Sequence, residues 1–315
     1  MTNKRIIFMG TPEFAATILK HLVENNVNVA AVVTVPDKPA GRGQQLSASA
    51  VKVYAESQNL PVLQPEKLKD ETFLTELSSY KADLFVVVAF RMLPEVVWSM
   101  PPMGTINLHG SLLPQYRGAA PINRAVMNGE TETGVTTFFI EKEIDTGKII
   151  QRKTMSIGEN ETAGEVHDRM MHLGAEATLE TVRQIFEGNT NAIDQTQLIE
   201  TELMPAPKIF KPDCKVNWED DAQNVHNFIR GLSPYPTAWT TWPENGNKSL
   251  KLFRSLYSSK NFTSTPGSVH VEEGKMFVQC QTGSVEILEA QIEGKKRVSA
   301  KDFLNGNNVS GARFE

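Results

Sequence analysis

An amide and an imidazole stand two positions apart in residues 104–122, which read GTINLHGSLLPQYRGAAPI. They are Asn107 and His109. Residues 105–108 are predicted to form a short strand, and because side-chain direction repeats every two residues, both side chains would project from one face. The carboxamide can donate to a developing oxyanion, and the imidazole can supply a second hydrogen bond or a proton near neutral pH. The pair therefore indicates a site that stabilises negative charge on an oxygen atom.

A carboxylate that could orient the imidazole and take up charge is Asp145. It lies in the turn I-D-T-G at 144–147, between the apolar runs at 136–140 and 148–150. Residue types alone leave a second interpretation open, in which polar residues at strand ends meet by chance.

Other chemistries fit the sequence less well. After the first apolar run the chain reads G-T-P-E-F, with one glycine where a dinucleotide cradle needs three, so Gly10 indicates a tight strand-to-helix turn. His167 and His172 are five positions apart on a predicted helix, do not share a face, and belong to no H-E-x-x-H motif. Ser111 lacks the G-x-S-x-G context of a hydrolase nucleophile. The sequence therefore disfavours NAD or FAD binding, a metal site and serine hydrolysis.

The first half of the chain alternates short Val-rich runs with segments of helical spacing. Strands are predicted at 5–9, 29–35 and 83–89, and helices at 51–58, 71–77 and 165–186. Uninterrupted apolar runs are typical of parallel strands buried on both faces. The pattern predicts a doubly wound, Rossmann-like α/β domain, with ligand sites beyond the carboxyl ends of its strands.

The second half has a different organisation. Residues 188–207 lose periodicity and contain Pro205-Ala206-Pro207, which indicates a linker. A helix is predicted at 219–232, and short strands separated by glycines, at 269–271, 276–280 and 285–288, favour a small β-barrel or sandwich. We therefore predict a catalytic domain at 1–188, a linker at 189–207 and a C-terminal domain at 208–315.

Composition sets broad limits. The chain has 315 residues, 40% hydrophobic and 22% charged, which suits two soluble domains. No signal-like segment or membrane-length apolar run is evident, and two cysteines without C-x-x-C spacing favour a reducing cytoplasm. The net charge of −5 divides unevenly, because residues 208–315 carry +2 and residues 1–207 carry −7. A mildly basic C-terminal part is either a solvated surface or a nucleic-acid-binding face.

The longest motif is G-x-x-N-L-H-G-S-L-L-P-x-Y-R-G-A-A-P-I at 104–122, followed by E-T-G-V-T and I-D-T-G-K-I. With these motifs the chain resembles the formyltransferases that use 10-formyltetrahydrofolate. Further stretches are similar to the methionyl-tRNA branch of that family: F-M-G-T-P-E-F at 8–14, P-D-K-P-A-G-R-G at 36–43, A-P-K-I at 206–209, I-R-G-L-S-P-Y-P at 229–236 and E-G-K-K-R at 293–297. The resemblance runs in order through both predicted domains.

The resemblance implies roles for individual residues. The catalytic trio would be Asn107, His109 and Asp145. The turn that contacts tetrahydrofolate would be Ser111, Leu112, Leu113 and Pro114, with Phe90 and Met92 at the pterin pocket. The loop that engages the acceptor end of tRNA would include Lys38, Arg42 and Gly43. An OB-like C-terminal barrel would hold the outer face of the tRNA.

The same resemblance implies the reactants. They are 10-formyltetrahydrofolate as co-substrate and methionyl initiator tRNA as acceptor, with no metal, membrane or stable protein partner. Two alternatives stay open: a formyltransferase acting on an amino sugar nucleotide or another small amine such as glycinamide ribonucleotide, and a non-catalytic nucleic-acid-binding protein. The C-terminal domain and the P-A-G-R-G loop argue against the small acceptors, and the complete trio argues against a protein without catalysis.

Two positions depart from the family's pattern. Residues 88–94 read V-A-F-R-M-L-P, where the family usually has an aromatic-Gly step and one more residue before Leu-Pro, so Arg91 stands in the glycine region. Thr237 follows P-Y-P where the family commonly has glycine. We expect the first departure to change contacts of the pterin pocket, and the second to change a C-terminal turn without touching the chemistry.

Overall fold

The computed structural model describes residues 3–40, 45–309 and 311–315. Within them the α-helices are α1 (Glu13–Glu24), α2 (Ala50–Ser57), α3 (Glu71–Ser79), α4 (Glu95–Trp98), α5 (Pro121–Met127), α6 (Ala163–Glu187), α7 (Ala222–Gly231) and α8 (Ala300–Gly306). The strands are β1 (Ile6–Gly10), β2 (Val29–Val33), β3 (Lys38–Ala40), β4 (Gln45–Ser47), β5 (Val62–Leu63), β6 (Leu84–Val88), β7 (Thr105–His109), β8 (Glu132–Phe139), β9 (Ile149–Ser156), β10 (Ala238–Trp242), β11 (Lys248–Ser258), β12 (Val269–Glu272), β13 (Lys275–Gln279), β14 (Ser284–Ile292) and β15 (Val298–Ser299). No helix among the described residues is both long and apolar enough to cross a membrane.

The chain divides into two compact units, and neither is continuous in sequence. The first unit comprises Met1–Gly118, Gly134–Met155 and Asp168–Pro205. The second comprises Ala119–Thr133, Ser156–His167 and Ala206–Glu315. The sequence boundaries at 188 and 208 stay a prediction.

The first unit is built on a sheet whose described strands follow the order β5-β2-β1-β6-β7-β8-β9. The pairs from β5 to β7 are parallel, and β8 runs antiparallel to β7. The strand order reverses between β1 and β6, since the chain passes outward through β2 and β5 and then returns to β6 beside β1. In doubly wound sheets such a reversal opens a crevice at the carboxyl ends of the strands.

Burial explains why the central strands are apolar throughout. All five residues of β1 and of β6 are buried, as expected for parallel strands covered on both faces. Gly10 ends β1 where a Cβ atom would lie 2.6 Å from the Ala15 side chain and 2.9 Å from the Val88 carbonyl oxygen. The glycine is therefore required for close packing of β1 against α1 and β6, as the predicted tight turn implies.

The second unit contains an antiparallel sheet with described strand order β10-β11-β14-β13-β12, and β15 pairs with β14. Its core includes Trp218, Trp242, Phe303 and Phe314. The Trp218 indole donates to the Thr240 hydroxyl at 3.0 Å, which satisfies its buried N–H. Both cysteines of the chain are free and buried, and burial raises the pKa of Cys280 to about 12, so its thiol stays protonated.

The structure confirms an α/β fold with a Rossmann-like N-terminal part and an antiparallel β domain in the C-terminal part. The prediction that one helix begins at 219 was wrong. Helix α7 begins at Ala222, because a turn at Asn217 directs Trp218 into the core before the helix can start. Strands β10 and β11 were not predicted, although the buried Leu250 and Leu252 of β11 lie on either side of the exposed Lys251.

Thr237 occupies a backbone position that suits glycine. Its φ angle is +81°, a left-handed conformation that a β-branched residue rarely adopts. Its hydroxyl donates to the Pro234 carbonyl oxygen at 2.6 Å and its N–H donates to the Leu232 carbonyl oxygen at 2.9 Å. These hydrogen bonds hold the turn in a conformation that glycine would adopt without steric cost.

Candidate active site

The strand predicted to carry the amide and the imidazole is β7. Asn107 and His109 occupy alternate positions on it and so share a face, with Asn107 half-buried and His109 6% exposed. In the described part of the chain no hydrogen bond engages the Asn107 carboxamide. Both amide hydrogens are therefore available to a ligand.

Each ring nitrogen of the His109 imidazole faces an oxygen atom, but only one makes a hydrogen bond. Its Nε2 atom lies 2.8 Å from the carbonyl oxygen of Tyr116. Because a carbonyl oxygen can only accept, Nε2 carries the proton in this contact. Its Nδ1 atom lies 3.8 Å from Asp145 Oδ2, which is an ion-pair distance and longer than a hydrogen bond. The imidazole thus presents a lone pair at Nδ1 toward a carboxylate that would stabilise the protonated ring.

Asp145 lies in the loop between β8 and β9, in a left-handed conformation with φ of +56°. Its Oδ2 atom accepts from the Gly118 N–H at 3.0 Å, and only 13% of its side chain is exposed. A Cβ atom on Gly147 would collide with the Phe139 carbonyl oxygen, so only glycine allows this loop to close against the end of β8. The loop geometry therefore brings a carboxylate from a distant part of the chain to His109.

Gln195 stabilises this loop through side-chain hydrogen bonds to its backbone. Its Nε2 atom donates to the carbonyl oxygens of Asp145 and Gly147 at 2.9 and 2.8 Å. Its Oε1 atom accepts from Arg117 Nη2 at 2.6 Å and Arg117 Nε at 3.1 Å. Gln195 lies in the segment predicted to be a linker, and no local sequence pattern distinguishes it from the other polar residues there.

The predicted folate-contacting turn follows β7 directly. Ser111 and Leu113 are fully buried, and the Ser111 hydroxyl donates to the Gln115 carbonyl oxygen at 2.6 Å. Thr136, not singled out in the sequence, stabilises the turn by donating to the Ser111 carbonyl oxygen at 2.6 Å and accepting from the Leu113 N–H at 3.0 Å. The Leu113–Pro114 peptide is cis. Because Ser111, Leu113 and Pro114 are all buried, this turn can offer a ligand main-chain groups and the half-buried side chain of Leu112.

The loop after β6 carries the other residues predicted for the donor pocket. Phe90 is half-buried, and Met92 is 77% exposed. Arg91 donates to the carbonyl oxygens of Pro65 and Glu66 at 2.8 and 3.0 Å, and its guanidinium lies 5.3 Å from the Phe90 ring centroid. Burial lowers the pKa of Arg91. The arginine thus anchors the loop after β6 to the neighbouring connection after β5.

The predicted tRNA-binding loop follows β2. Lys38 is exposed and begins β3, which pairs with β4 as an antiparallel hairpin. Arg42 and Gly43 lie outside the described residues. At the base of the hairpin, Asp37 pairs with Lys52 at 2.6 Å and accepts from Gln64 at 2.8 Å, and the hydrogen bond from Lys52 lowers the pKa of Asp37. These contacts of Asp37 therefore fix the start of the hairpin at the carboxyl edge of the sheet.

The arrangement suits proton transfer and oxyanion stabilisation. It combines free amide donors, an imidazole with one nitrogen fixed, and a carboxylate held by a backbone N–H. Within the described ranges, no group of three or more His, Cys, Asp or Glu side chains is placed to hold a metal ion.

Known protein families match this chain over most of its length. Residues 4–182 match the family described as Formyl transferase, and residues 208–308 match Formyl transferase, C-terminal domain. A methionyl-tRNA formyltransferase of Bacteroides fragilis is 51% identical over 313 residues, covering 98% of this chain and 96% of that protein. One from Parabacteroides distasonis is 52% identical, covering 96% and 95%.

Solved structures share the fold at low sequence identity. The Aquifex aeolicus HypX complex with tetrahydrofolic acid aligns with a TM-score of 0.65 at 19% identity, covering 96% of this chain and 47% of that chain. A Helicobacter canadensis N-formyltransferase, in complex with folinic acid and dTDP-3-aminofucose, aligns with a TM-score of 0.63 at 20% identity, covering 92% and 99%. Both family matches and the near-full-length relatives lead to one assignment: the chain belongs to the formyltransferase family, within the branch of the methionyl-tRNA formyltransferases.

Proposed function

We propose that this chain transfers a formyl group from 10-formyltetrahydrofolate to the α-amine of methionyl initiator tRNA, giving formylmethionyl-tRNA for translation initiation and releasing tetrahydrofolate. The observation that carries the proposal is the free Asn107 carboxamide beside the His109–Asp145 pair. Near-full-length relatives that are about half identical and named methionyl-tRNA formyltransferases support the choice of acceptor. A cytoplasmic location is part of the proposal, since aminoacylated initiator tRNA is made and used there.

The chemistry begins with a neutral amine. An α-amino group titrates near ~8, so an appreciable fraction is unprotonated at pH 7 and no strong base is required for attack. Attack on the formyl carbon forms a carbon–nitrogen bond and places negative charge on the formyl oxygen. The free Asn107 hydrogens stabilise that oxyanion, an interaction typically worth about 10²–10³ in rate.

The proton released by the amine needs an acceptor. His109 Nε2 already holds a proton against the Tyr116 carbonyl, so the lone pair of the neutral ring lies at Nδ1, facing Asp145. The amine proton goes through water to Asp145, or it goes to His109 Nδ1, in which case the negative charge of Asp145 stabilises the resulting imidazolium. Collapse of the tetrahedral intermediate then restores the carbonyl group and breaks the bond to the folate nitrogen, which receives the proton taken from the amine as tetrahydrofolate leaves.

Substrate binding is assigned to the surrounding loops. The turn of Ser111, Leu112, Leu113 and Pro114, together with Phe90 and Met92, holds the folate donor at the carboxyl edge of the sheet. The hairpin that begins at Lys38, with Arg42 and Gly43, engages the acceptor end of the tRNA. The mildly basic residues 208–315 contact tRNA phosphates, so tRNA affinity should fall as salt rises.

An acceptor competition tests the proposal. Initial rates of formyl transfer from 10-formyltetrahydrofolate are measured with methionyl initiator tRNA, a dTDP-linked amino sugar and glycinamide ribonucleotide. We expect kcat/KM for the charged tRNA to exceed the others by orders of magnitude. A preference for either small acceptor would overturn the choice of substrate, and tRNA binding without formylation of any acceptor would identify a non-catalytic binder.

The hairpin assignment is tested separately. Arg42→Ala should lower kcat/KM for methionyl-tRNA by about 1–3 kcal/mol in transition-state stabilisation and leave donor dissociation unchanged, since a guanidinium contacts phosphate or an unpaired base. Equal activity of the variant and wild type at limiting tRNA would exclude this role.

A further inference from the structure

Gln195 lies outside every motif, and yet its side chain is 1% exposed and fully hydrogen-bonded. It begins a short 3-10 helix, Gln195–Leu198, in which Thr196 and Gln197 are exposed. Gln195 is thus the fully buried residue of that helix, and the half-buried Leu198 packs against the cluster of Leu113, Phe138 and Ile149.

The two amide hydrogens of Gln195 bracket the catalytic loop. They reach the carbonyl oxygens of Asp145 and Gly147, one on each side of Thr146. Asp145 has a left-handed backbone, which a non-glycine residue keeps only when its surroundings hold it. Gln195 supplies that restraint at the residue itself.

The amide oxygen of Gln195 extends the connection to the other side of the site. It accepts from two nitrogens of Arg117, and the next residue, Gly118, donates its N–H to Asp145 Oδ2. One side chain thus joins the backbone that carries the carboxylate to the segment that binds the carboxylate. Loss of the amide would release both ends of this connection.

We infer that Gln195 is a positioning residue, which sets the orientation of the Asp145 carboxylate toward His109. The inference rests on the proposed function, because it assigns Asp145 a part in formyl transfer. A side chain that only joined residues 189–205 to the rest of the unit would affect stability without affecting the catalytic step in particular.

The test compares two glutamines of the same short helix. Gln195→Met keeps the volume and removes the hydrogen bonds, and Gln197→Met makes the same change at an exposed position. We expect Gln195→Met to lower kcat by roughly 10-fold or more with the KM for each substrate little changed, because small displacements of a catalytic group are costly. Gln197→Met should match wild type. A wild-type kcat for Gln195→Met would overturn the inference.

A double-mutant cycle with Asp145→Asn separates positioning from general damage. If Gln195 acts through Asp145, adding Gln195→Met to Asp145→Asn should change kcat by less than about twofold, since coupled residues are not additive. A full additional loss would overturn the inference. If Asp145→Asn is inactive and Gln195→Met is fully active, the inference about Gln195 is overturned and the proposed function is not. If Asp145→Asn is fully active, the proposed site is overturned as well.

A second variant keeps the test valid if Gln195→Met does not fold. Gln195→Glu retains the size and the acceptor for Arg117, and sets a carboxylate against the two carbonyl oxygens. The same fall in kcat is expected, with a smaller deficit relative to wild type as pH falls, because a protonated glutamic acid regains one donor. A wild-type kcat for this variant across the pH range would again overturn the inference.

Discussion

Replacing Asn107 with alanine tests whether its free carboxamide acts in the transition state. The side chain makes no hydrogen bond to the described part of the chain, so its removal leaves no protein group without a partner. Loss of an oxyanion donor costs about 10²–10³ in kcat, or about 2.7–4 kcal/mol. The free energy of unfolding should change by less than about 1 kcal/mol, because no buried polar group loses its partner.

The assay is single-turnover formylation with saturating donor and charged tRNA, alongside urea unfolding of the same variant. Asn123→Ala is the matched control, since the Asn123 amide donates to the Gly231 carbonyl oxygen at 2.7 Å. That variant should lose about 1–3 kcal/mol of stability and keep its turnover, because a carbonyl is left unpaired. A turnover for Asn107→Ala within threefold of wild type would refute the assignment of this residue.

Three further predictions concern stability. Burial lowers the pKa of His226, so below about pH 6.5 the unfolded form binds a proton more readily than the folded form. Stability is therefore lost by up to ~1.4 kcal/mol per pH unit as pH falls from that value toward the lower pKa of the folded form. Urea unfolding at pH 7.5 and 5.5 should show a larger fall for wild type than for His226→Gln, and equal falls would contradict this. Gly147→Ala should lower stability by about 1–3 kcal/mol or more through overpacking, whereas Gly306→Ala, whose Cβ meets nothing within 4 Å, should be neutral in the same measurement. Thr237→Val keeps the branched side chain but loses the hydroxyl hydrogen bond, so its free energy of unfolding in urea should be about 1–3 kcal/mol lower than that of Thr237→Gly. The reverse order would argue against backbone strain at this residue.

Most of the structure that could be predicted from the sequence followed from the local pattern of apolar and polar residues. β1, β2 and β6 were predicted because parallel strands covered on both faces are apolar at almost every position. The shared face of Asn107 and His109 followed from the two-residue repeat of a strand.

Contacts between distant residues could not be predicted in this way. The hydrogen bond from His109 to the Tyr116 carbonyl depends on the path of a turn, and the role of Gln195 depends on a loop 50 residues earlier in the chain. Neither residue has a neighbour pattern that signals its partner. The anchoring of Arg91 on Pro65 likewise follows from the tertiary arrangement of two loops.

The discontinuous units have a consequence for protein synthesis. When the ribosome has made residue 205, every segment of the first unit exists, but residues 119–133 and 156–167 still lack the rest of the second unit. Arg230, which donates to the carbonyl oxygens of Gly158 and Glu161, has not yet been translated at that point. These two segments therefore cannot complete their unit until the last 110 residues have been synthesised. For the same reason, exchanging the C-terminal part between relatives at residue 206 would separate Arg230 from Gly158 and Glu161, unless all three segments of the second unit are exchanged together.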